Sequence, residues 1–322
     1  MSARPTRLAV IGAGRIGSQH ALAVQASALL ELAAVVDPNA AARDAVEGDG
    51  VLRLASIDAL LRDAQVEGAI VAVPSARHVE VVSHLLHAGI PVLCEKPCGL
   101  QRDDVLALAA LSCETGTHLQ VGYWRRFVPA LHALRERIAS GALGEISMLV
   151  AVQWDGEPPP TAFRDPASSG GILVDMGVHE FDMLRWLTGQ EVVAITGFAS
   201  EVAWAEPVVG DPETVNLVAR LSGGATASIS LVRRYPPGDL CRVEVLGGDG
   251  SESVLFLDPA AAEPPMLPAL QSQAEALAVR DPGDMAASVE DALAALDAAE
   301  MAAAALGALQ SSAVLPTTEV VR

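Results

Sequence analysis

The chain has 322 residues, 51% of them hydrophobic and 19% charged, which leaves room for two domains with proper cores and excludes general disorder. Its formal net charge is 21 − 40 = −19, so it carries no electrostatic footprint for nucleic acid or for an anionic membrane. Twenty of the basic side chains are arginine and one is lysine, Lys96. Arginine cannot shed its proton in a protein, whereas a lysine ammonium can be tuned to do so. A sole lysine at the mouth of an apolar strand is therefore a candidate for chemistry.

Cys94, Cys98, Cys113 and Cys241 form no paired spacing and no repeated framework, and reduced thiols of a cytoplasmic protein are expected. Cys94 and Cys98 flank Lys96, but this spacing is a weak metal signal and no metal is expected. The apolar run at residues 8–11 stops at once in glycines, too short for an export signal. No membrane span is expected either, because acidic residues from Glu290 to Glu300 interrupt the Ala-rich tail.

In chain order, short β-branched runs at residues 8–11, 32–37, 69–74, 91–95 and 118–122 predict strands. Amphipathic stretches at 16–28, 40–47, 57–63, 77–87 and 103–114 predict the helices between them. This alternation predicts an α/β fold beginning with a doubly wound parallel sheet. After a helix at 129–140, strands follow in near succession at 146–154, 192–201, 215–221, 225–234, 242–247 and 253–257. Gly223-Gly224 and Gly248-Asp-Gly250 are hairpin signals between them. A second domain is expected on a mainly antiparallel sheet, with one inserted helix near 172–187 and loops at 157–160 and 263–268. The division falls at residues 1–123 and 124–322, with a long helix over 285–310 returning to the first domain.

Two motifs carry chemistry. Gly12-Ala-Gly14-Arg15-Ile16-Gly17 follows a strand and opens a helix, so its glycines permit a tight turn and close approach to a pyrophosphate at the helix N-terminus. Asp37 ends the second strand twenty residues beyond Gly17, where a carboxylate binds a ribose diol and repels a 2′-phosphate; NAD is the expected cofactor. Asp175, His179 and Asp182, at i, i+4 and i+7, fall on one face of the inserted helix, whose other positions are largely apolar. A buried stripe of two carboxylates and an imidazole is costly unless the groups pair or meet a polar ligand, so it is an acid/base candidate. A satisfied internal network and a metal site on Asp175 and His179 are the competing readings, and the metal lacks further ligands nearby.

Together the glycine motif, residues 74–78, Glu95-Lys96-Pro97 and the Asp175/His179 pair resemble the glucose–fructose oxidoreductase / inositol dehydrogenase / rhizopine catabolism (Gfo/Idh/MocA) family. Within it the likeness is greatest to inositol 2-dehydrogenases, through residues 122–127 and 169–186. The resemblance implies an N-terminal Rossmann domain and a C-terminal α/β domain with an open sheet for substrate and oligomer contacts, hence a homodimer or homotetramer. It implies NAD-dependent oxidation of a secondary alcohol of a cyclitol or sugar, with Lys96, Asp175 and His179 catalytic. Cofactor contacts then fall on Gly12, Gly14, Arg15, Ile16, Gly17, Asp37, Pro74, Ser75, His78, Glu95 and Lys96. Substrate contacts fall on Lys96, Trp124, Arg126, Asp155, Asp175, His179 and Tyr235. Spacing leaves the division of proton transfer between Lys96 and His179 open.

The chain departs from the family at Ser75, where Asn is frequent, at Trp154-Asp155, where myo-inositol enzymes carry His-Arg-Asn, and in residues 234–239, a substrate loop longer by one. Beyond residue 257 the likeness thins. Two other readings fit the family: an enzyme that recycles tightly bound NAD in place, and a dinucleotide-binding regulator without turnover. Retention of Lys96, Asp175 and His179 argues against the regulator.

Overall fold

The protein is described here by a computed structural model, for residues 4–200, 202, 208–261, 265–279 and 283–312. Its first layer runs β1 (Thr6–Ile11), α1 (Arg15–Ala26), β2 (Leu30–Val36), α2 (Ala40–Asp44), β3 (Leu52–Leu54) and α3 (Ile57–Asp63). It continues through β4 (Gly68–Val71), α4 (His78–His87), β5 (Val92–Glu95), α5 (Arg102–Thr115) and β6 (Leu119–Gly122). All six strands are parallel, in the order β3-β2-β1-β4-β5-β6. The central strands are apolar along their whole length because helices cover both faces, and Leu8, Val10, Ile70 and Leu93 are fully buried. Helix signals read from the sequence have physical counterparts. Ser56 caps α3 by accepting from Ala59 N, and Gln101 with Asp104 forms a capping box on α5. α5 stops at Gly116, whose φ of 62° is left-handed.

The second layer is α6 (Pro129–Ala139), β7 (Ile146–Trp154), α7 (Thr161–Arg164), α8 (Pro166–Ser169), α9 (Val178–Thr188) and β8 (Val192–Ala199). Then come β9 (Thr214–Leu221), β10 (Thr226–Val232), β11 (Leu240–Gly247), β12 (Gly250–Leu257), α10 (Met266–Val279) and α11 (Val289–Ser312). Its strands are ordered β12-β11-β7-β10-β9-β8, antiparallel throughout except for the parallel pair β7 and β10. Strict alternation buries Ala227, Ile229 and Leu231 on β10 while their neighbours face outward. Each fully buried Leu or Ile of this face stabilises the fold by roughly 1.5–3 kcal/mol. α9 and α6 lie over that face.

The structure departs from the sequence-based expectation in four places. β3 is a three-residue edge strand, half-exposed and too short to show alternation. α10 starts at Met266 inside the expected loop 263–268, residues 263–264 of which lie outside the described residues, as does Glu201 at the end of the expected strand 192–201. α10 returns to the first layer and packs on α1, while α11 lies against α5 as well as α9 and β8. The inserted helix is not regular. Leu173–Gly177 form a π turn ahead of α9, and the extra residue of an i→i+5 turn changes the phase of Asp175 relative to His179 and Asp182, which both lie in the regular helix.

Candidate active site

The glycine motif joins β1 to α1. Gly12 has φ +95° and lies so close to β4 that a Cβ would meet the Ala72 carbonyl oxygen at 2.5 Å, while a Cβ on Gly17 would meet Gly12 O at 1.9 Å. These two glycines are required by the chain's own packing. Gly14 is different, because a Cβ there would meet nothing within 4 Å. No side chain caps α1, and no acidic residue stands in its first turn. Free N–H groups at a helix start beside an open, side-chain-free surface fit a pyrophosphate. Asp37 accepts from Ala13 N and from Asn39 N, both at 2.8 Å, so its carboxylate is fixed at the rim of that cradle. Beside it opens a cavity of about 230 Å³ whose apolar wall of Ile11, Val36, Pro38, Val73 and Val81 suits an adenine ring, with Asp58, Arg77, Glu80 and His84 also lining it. These residues fit NAD. Arg15 is exposed at the same mouth and Ile16 half-buried.

The next loops supply the other expected cofactor positions. After Pro74, buried Ser75 begins a short 3-10 turn. His78 is a brace: buried, it reaches Pro97 O at 2.7 Å and Val73 O at 2.9 Å, tying two loops together. Burial pushes its pKa below the usual histidine value. Glu95, at the end of β5, contacts His20 of α1 at 2.7 Å and accepts from Lys96 N at 3.1 Å. Burial raises its pKa, but the His20 contact and nearby charges outweigh burial and hold it below the ordinary value. Gly122 on the neighbouring strand is required here, since a Cβ would meet Glu95 Cα at 2.9 Å.

Lys96 follows Glu95 and crosses to the second layer. Its Nζ donates to Asp175 O at 2.6 Å and to Asp175 Oδ1 at 3.1 Å. The other carboxylate oxygen, Oδ2, accepts from Arg233 Nη1 at 2.5 Å. Burial pushes the Asp175 carboxyl up; the Lys96 and Arg233 cations outweigh it and hold the group ionised, below its ordinary pKa. His179, one turn on, is buried and has its ring edge-on to Tyr123 with centroids 6.0 Å apart. Its Nδ1 makes no hydrogen bond among the described residues. Burial, then the Lys96 and Arg125 charges, drive its pKa well below 6.5, so the imidazole is neutral. The cluster thus holds an ionised carboxylate, an ammonium and a neutral imidazole, the set needed to move one proton from a bound hydroxyl.

Asp155, just after β7, borders the group and feels the charges of Asp175, Asp239 and Arg233. Burial pushes its carboxyl up to about 6, and Gln153 donates to it at 3.1 Å. Tyr235 N donates to Asp155 O at 2.6 Å, and the Tyr235 ring lies 5.0 Å from that of Trp154. Trp124 and Arg126 stand apart. Trp124 packs edge-on against Phe256, and Arg126 is buried in a fork with Asp182 and a second contact to Asp291. Asp182 therefore belongs to an internal network rather than to the stripe expected with Asp175 and His179. Its carboxylate pairs with the buried Arg126 guanidinium, which satisfies it within the fold.

Sequence reasoning missed Arg233, Asp211 and Arg164. Arg233 Nη2 donates to Asp211 Oδ1 at 2.8 Å, and Arg164 Nε donates to Asp211 Oδ2 at 2.8 Å. A signal existed: the alternation that buries residues 227, 229 and 231 puts position 233 on the same side, where a guanidinium is out of place.

A dinucleotide cradle on one sheet, whose own Lys96 ammonium meets a carboxylate and a neutral imidazole carried by the helix of the second layer, defines an NAD-binding oxidoreductase. Comparison with known proteins agrees. The model of the oxidoreductase family with an NAD-binding Rossmann fold matches residues 6–123, and that of the GFO/IDH/MocA C-terminal domain matches residues 131–252. The chain belongs to the GFO/IDH/MocA family. It is 42% identical over 292 residues to the rhizopine catabolism protein MocA of Rhizobium meliloti, spanning 90% of this chain and 92% of that one. It is 35% identical over 246 residues to an inositol 2-dehydrogenase of Rhizobium meliloti strain 1021, spanning 76% and 74%. The solved myo-inositol dehydrogenase of Corynebacterium glutamicum superposes with a TM-score of 0.83 at 28% identity, covering 95% of this chain and 97% of that one.

Proposed function

We propose that this protein oxidises a secondary hydroxyl of a cyclitol or related sugar to the ketone, with NAD as the acceptor. The observation that carries this reading is the buried, neutral His179 beside the Lys96–Asp175 pair. The names of its relatives, inositol 2-dehydrogenases among them, support the substrate class. Gly12, Gly14, Gly17 and Asp37 would hold the dinucleotide, with the loops at Pro74 and Lys96 as its further contacts. NAD bound there supplies the hydride acceptor. Lys96 donates a hydrogen bond to the reacting oxygen and stabilises the negative charge that develops on it, and His179 takes the hydroxyl proton. Asp175 fixes the ammonium. Residues 1–123 form the dinucleotide unit and 124–322 the substrate unit. The test is NADH absorbance on incubation with NAD and a panel of cyclitols and sugars; no reduction with any of them rejects the reading.

A second substrate, an amino-substituted cyclitol, is favoured by Asp155, which lies with Asp175 and Asp239 and stands where myo-inositol enzymes carry other residues. Higher kcat/KM for the amine than for the parent polyol selects it.

Cofactor choice follows from Asp37. NAD is expected to bind at least about tenfold better than NADP, roughly 1.4 kcal/mol. Asp37→Ala should erase most of that preference in titration calorimetry, and a variant that keeps it would remove Asp37 from the ribose site.

We also infer a homodimer or homotetramer in the cytoplasm. The outer face of the second sheet exposes Val218, Leu246, Leu255 and Phe198, a patch that association would cover. Four unpaired cysteines suit a reducing compartment. A monomer by light scattering at micromolar concentration rejects the oligomer.

A further inference from the structure

Arg233 is fully buried and always charged, and among the side chains of the proposed reaction it touches Asp175. Its Nε–H finds no partner among the described residues. Its two terminal nitrogens are spent on Asp175 Oδ2 at 2.5 Å and Asp211 Oδ1 at 2.8 Å. Asp211, in turn fully buried, is held by Arg164. The result is an alternating chain, Lys96, Asp175, Arg233, Asp211, Arg164, that starts at the sole lysine and ends on α7. An apolar side chain of similar volume at position 233 would serve stability as well or better, because desolvating a guanidinium is expensive. What the charge does is divide Asp175. One carboxylate oxygen serves Lys96 and the other serves Arg233, so the ammonium shares its counter-ion with a competing cation.

We propose that Arg233 is a positioning residue that acts on Lys96 through Asp175, fixing the carboxylate and setting how firmly it holds the ammonium that donates to the reacting oxygen. This rests on the reading of Lys96 as part of the reaction. The charged groups acting on Asp175 and Arg233 are Lys96 at the end of β5, Asp155 after β7 and Asp211 ahead of β9. Behind them stand Glu95 on Lys96 N, His179 of α9 within the field of Lys96, Asp239 beside Asp155, and Arg164 of α7, which holds Asp211 and Glu213. Among these, Arg233 and Lys96 are the two cations that contact Asp175 directly.

The sign of the effect follows from Coulomb's law. Without the Arg233 charge, the full carboxylate favours the ammonium, and deprotonation needs a higher pH. Without the Asp211 charge, Arg233 is less compensated, and deprotonation comes at a lower pH. Because Lys96 is the only lysine, labelling lysine with carbon-13 at its ε-carbon yields one lysine signal whose pH titration is read by NMR with no substrate present. In Arg233→Met the midpoint should rise by about one pH unit, the scale for a full charge a few ångströms away. In Asp211→Asn it should fall by roughly half a unit. Each anion keeps another partner in Arg233→Met, Lys96 for Asp175 and Arg164 for Asp211, which favours a folded variant. Should that variant fail to fold, Asp211→Asn decides alone. An unmoved midpoint, or movement of both variants in the same direction, overturns the proposal. The pH profile of kcat/KM should follow the NMR shift. Wild-type protein that fails to reduce NAD with every polyol offered counts against the function, while the lysine titration still decides the part played by Arg233.

Discussion

Lys96→Arg is expected to lower turnover by about a hundredfold or more while leaving NAD affinity and the thermal midpoint nearly intact. Charge is conserved in this change, so any loss measures what an ammonium does that a guanidinium cannot. The ammonium nitrogen reaches both the backbone oxygen and the carboxylate of Asp175, at 2.6 and 3.1 Å, from a side chain only 17% exposed. A guanidinium is larger, planar and permanently protonated, and it would meet Arg233 across the same carboxylate. If Lys96 served only as one arm of an ion pair, Arg would substitute well and any loss would appear in stability. Steady-state turnover of the variant, read beside its thermal midpoint, separates the two; near-normal turnover would move catalysis to His179 and Asp175.

The second large effect is expected at His179. His179→Leu, close to it in volume, should reduce kcat by roughly a hundredfold to ten-thousandfold, the range for a positioned general base. Stability should hold or rise, because the buried Nδ1 has no partner among the described residues and an unsatisfied buried polar atom costs about 1–3 kcal/mol. Opposite signs in activity and thermal midpoint are the signature. A merely structural histidine would lose both together. The pH dependence has a definite direction too. Burial and the Lys96 and Arg125 charges hold His179 neutral far below 6.5, so kcat/KM should not decline through the ordinary histidine range as pH falls. An inflection near pH 6 belongs to Asp155 and should vanish in Asp155→Asn.

Much of this molecule was legible in its sequence because the signals are local. Glycines at 12, 14 and 17 bracket a turn whose reasons are steric at two positions and vacant at the third. Strand and helix alternation placed Glu95, Lys96 and Asp37 at strand ends, where the parallel sheet delivers them to one edge. What escaped was non-local or irregular. A π turn cannot be read from periodicity, so spacing alone puts Asp175 in phase with α9, and it does not show that Asp182 pairs with Arg126. Arg126, expected at the substrate, is drawn into the interior by Asp182 and by Asp291 from the far end of the chain. No spacing rule connects residues 165 apart. Arg233 carried a usable signal, a charge on the inward phase of β10, but its partners Asp175 and Asp211 lie on separate elements.

The buried run from Lys96 to Arg164 also bears on how the protein meets salt. Exposed pairs such as Arg102 with Asp297 lie within reach of mobile counter-ions, which weaken them over about 8 Å at physiological ionic strength. Arg233 and Asp211 are buried away from those ions, so their mutual hold is screened far less and changes little between dilute buffer and brine. The molecule as a whole carries nineteen excess negative charges, whose self-repulsion opposes the compact state and fades as salt is added. Rising ionic strength therefore relaxes the strain of the surface charge without loosening the charges that position the lysine.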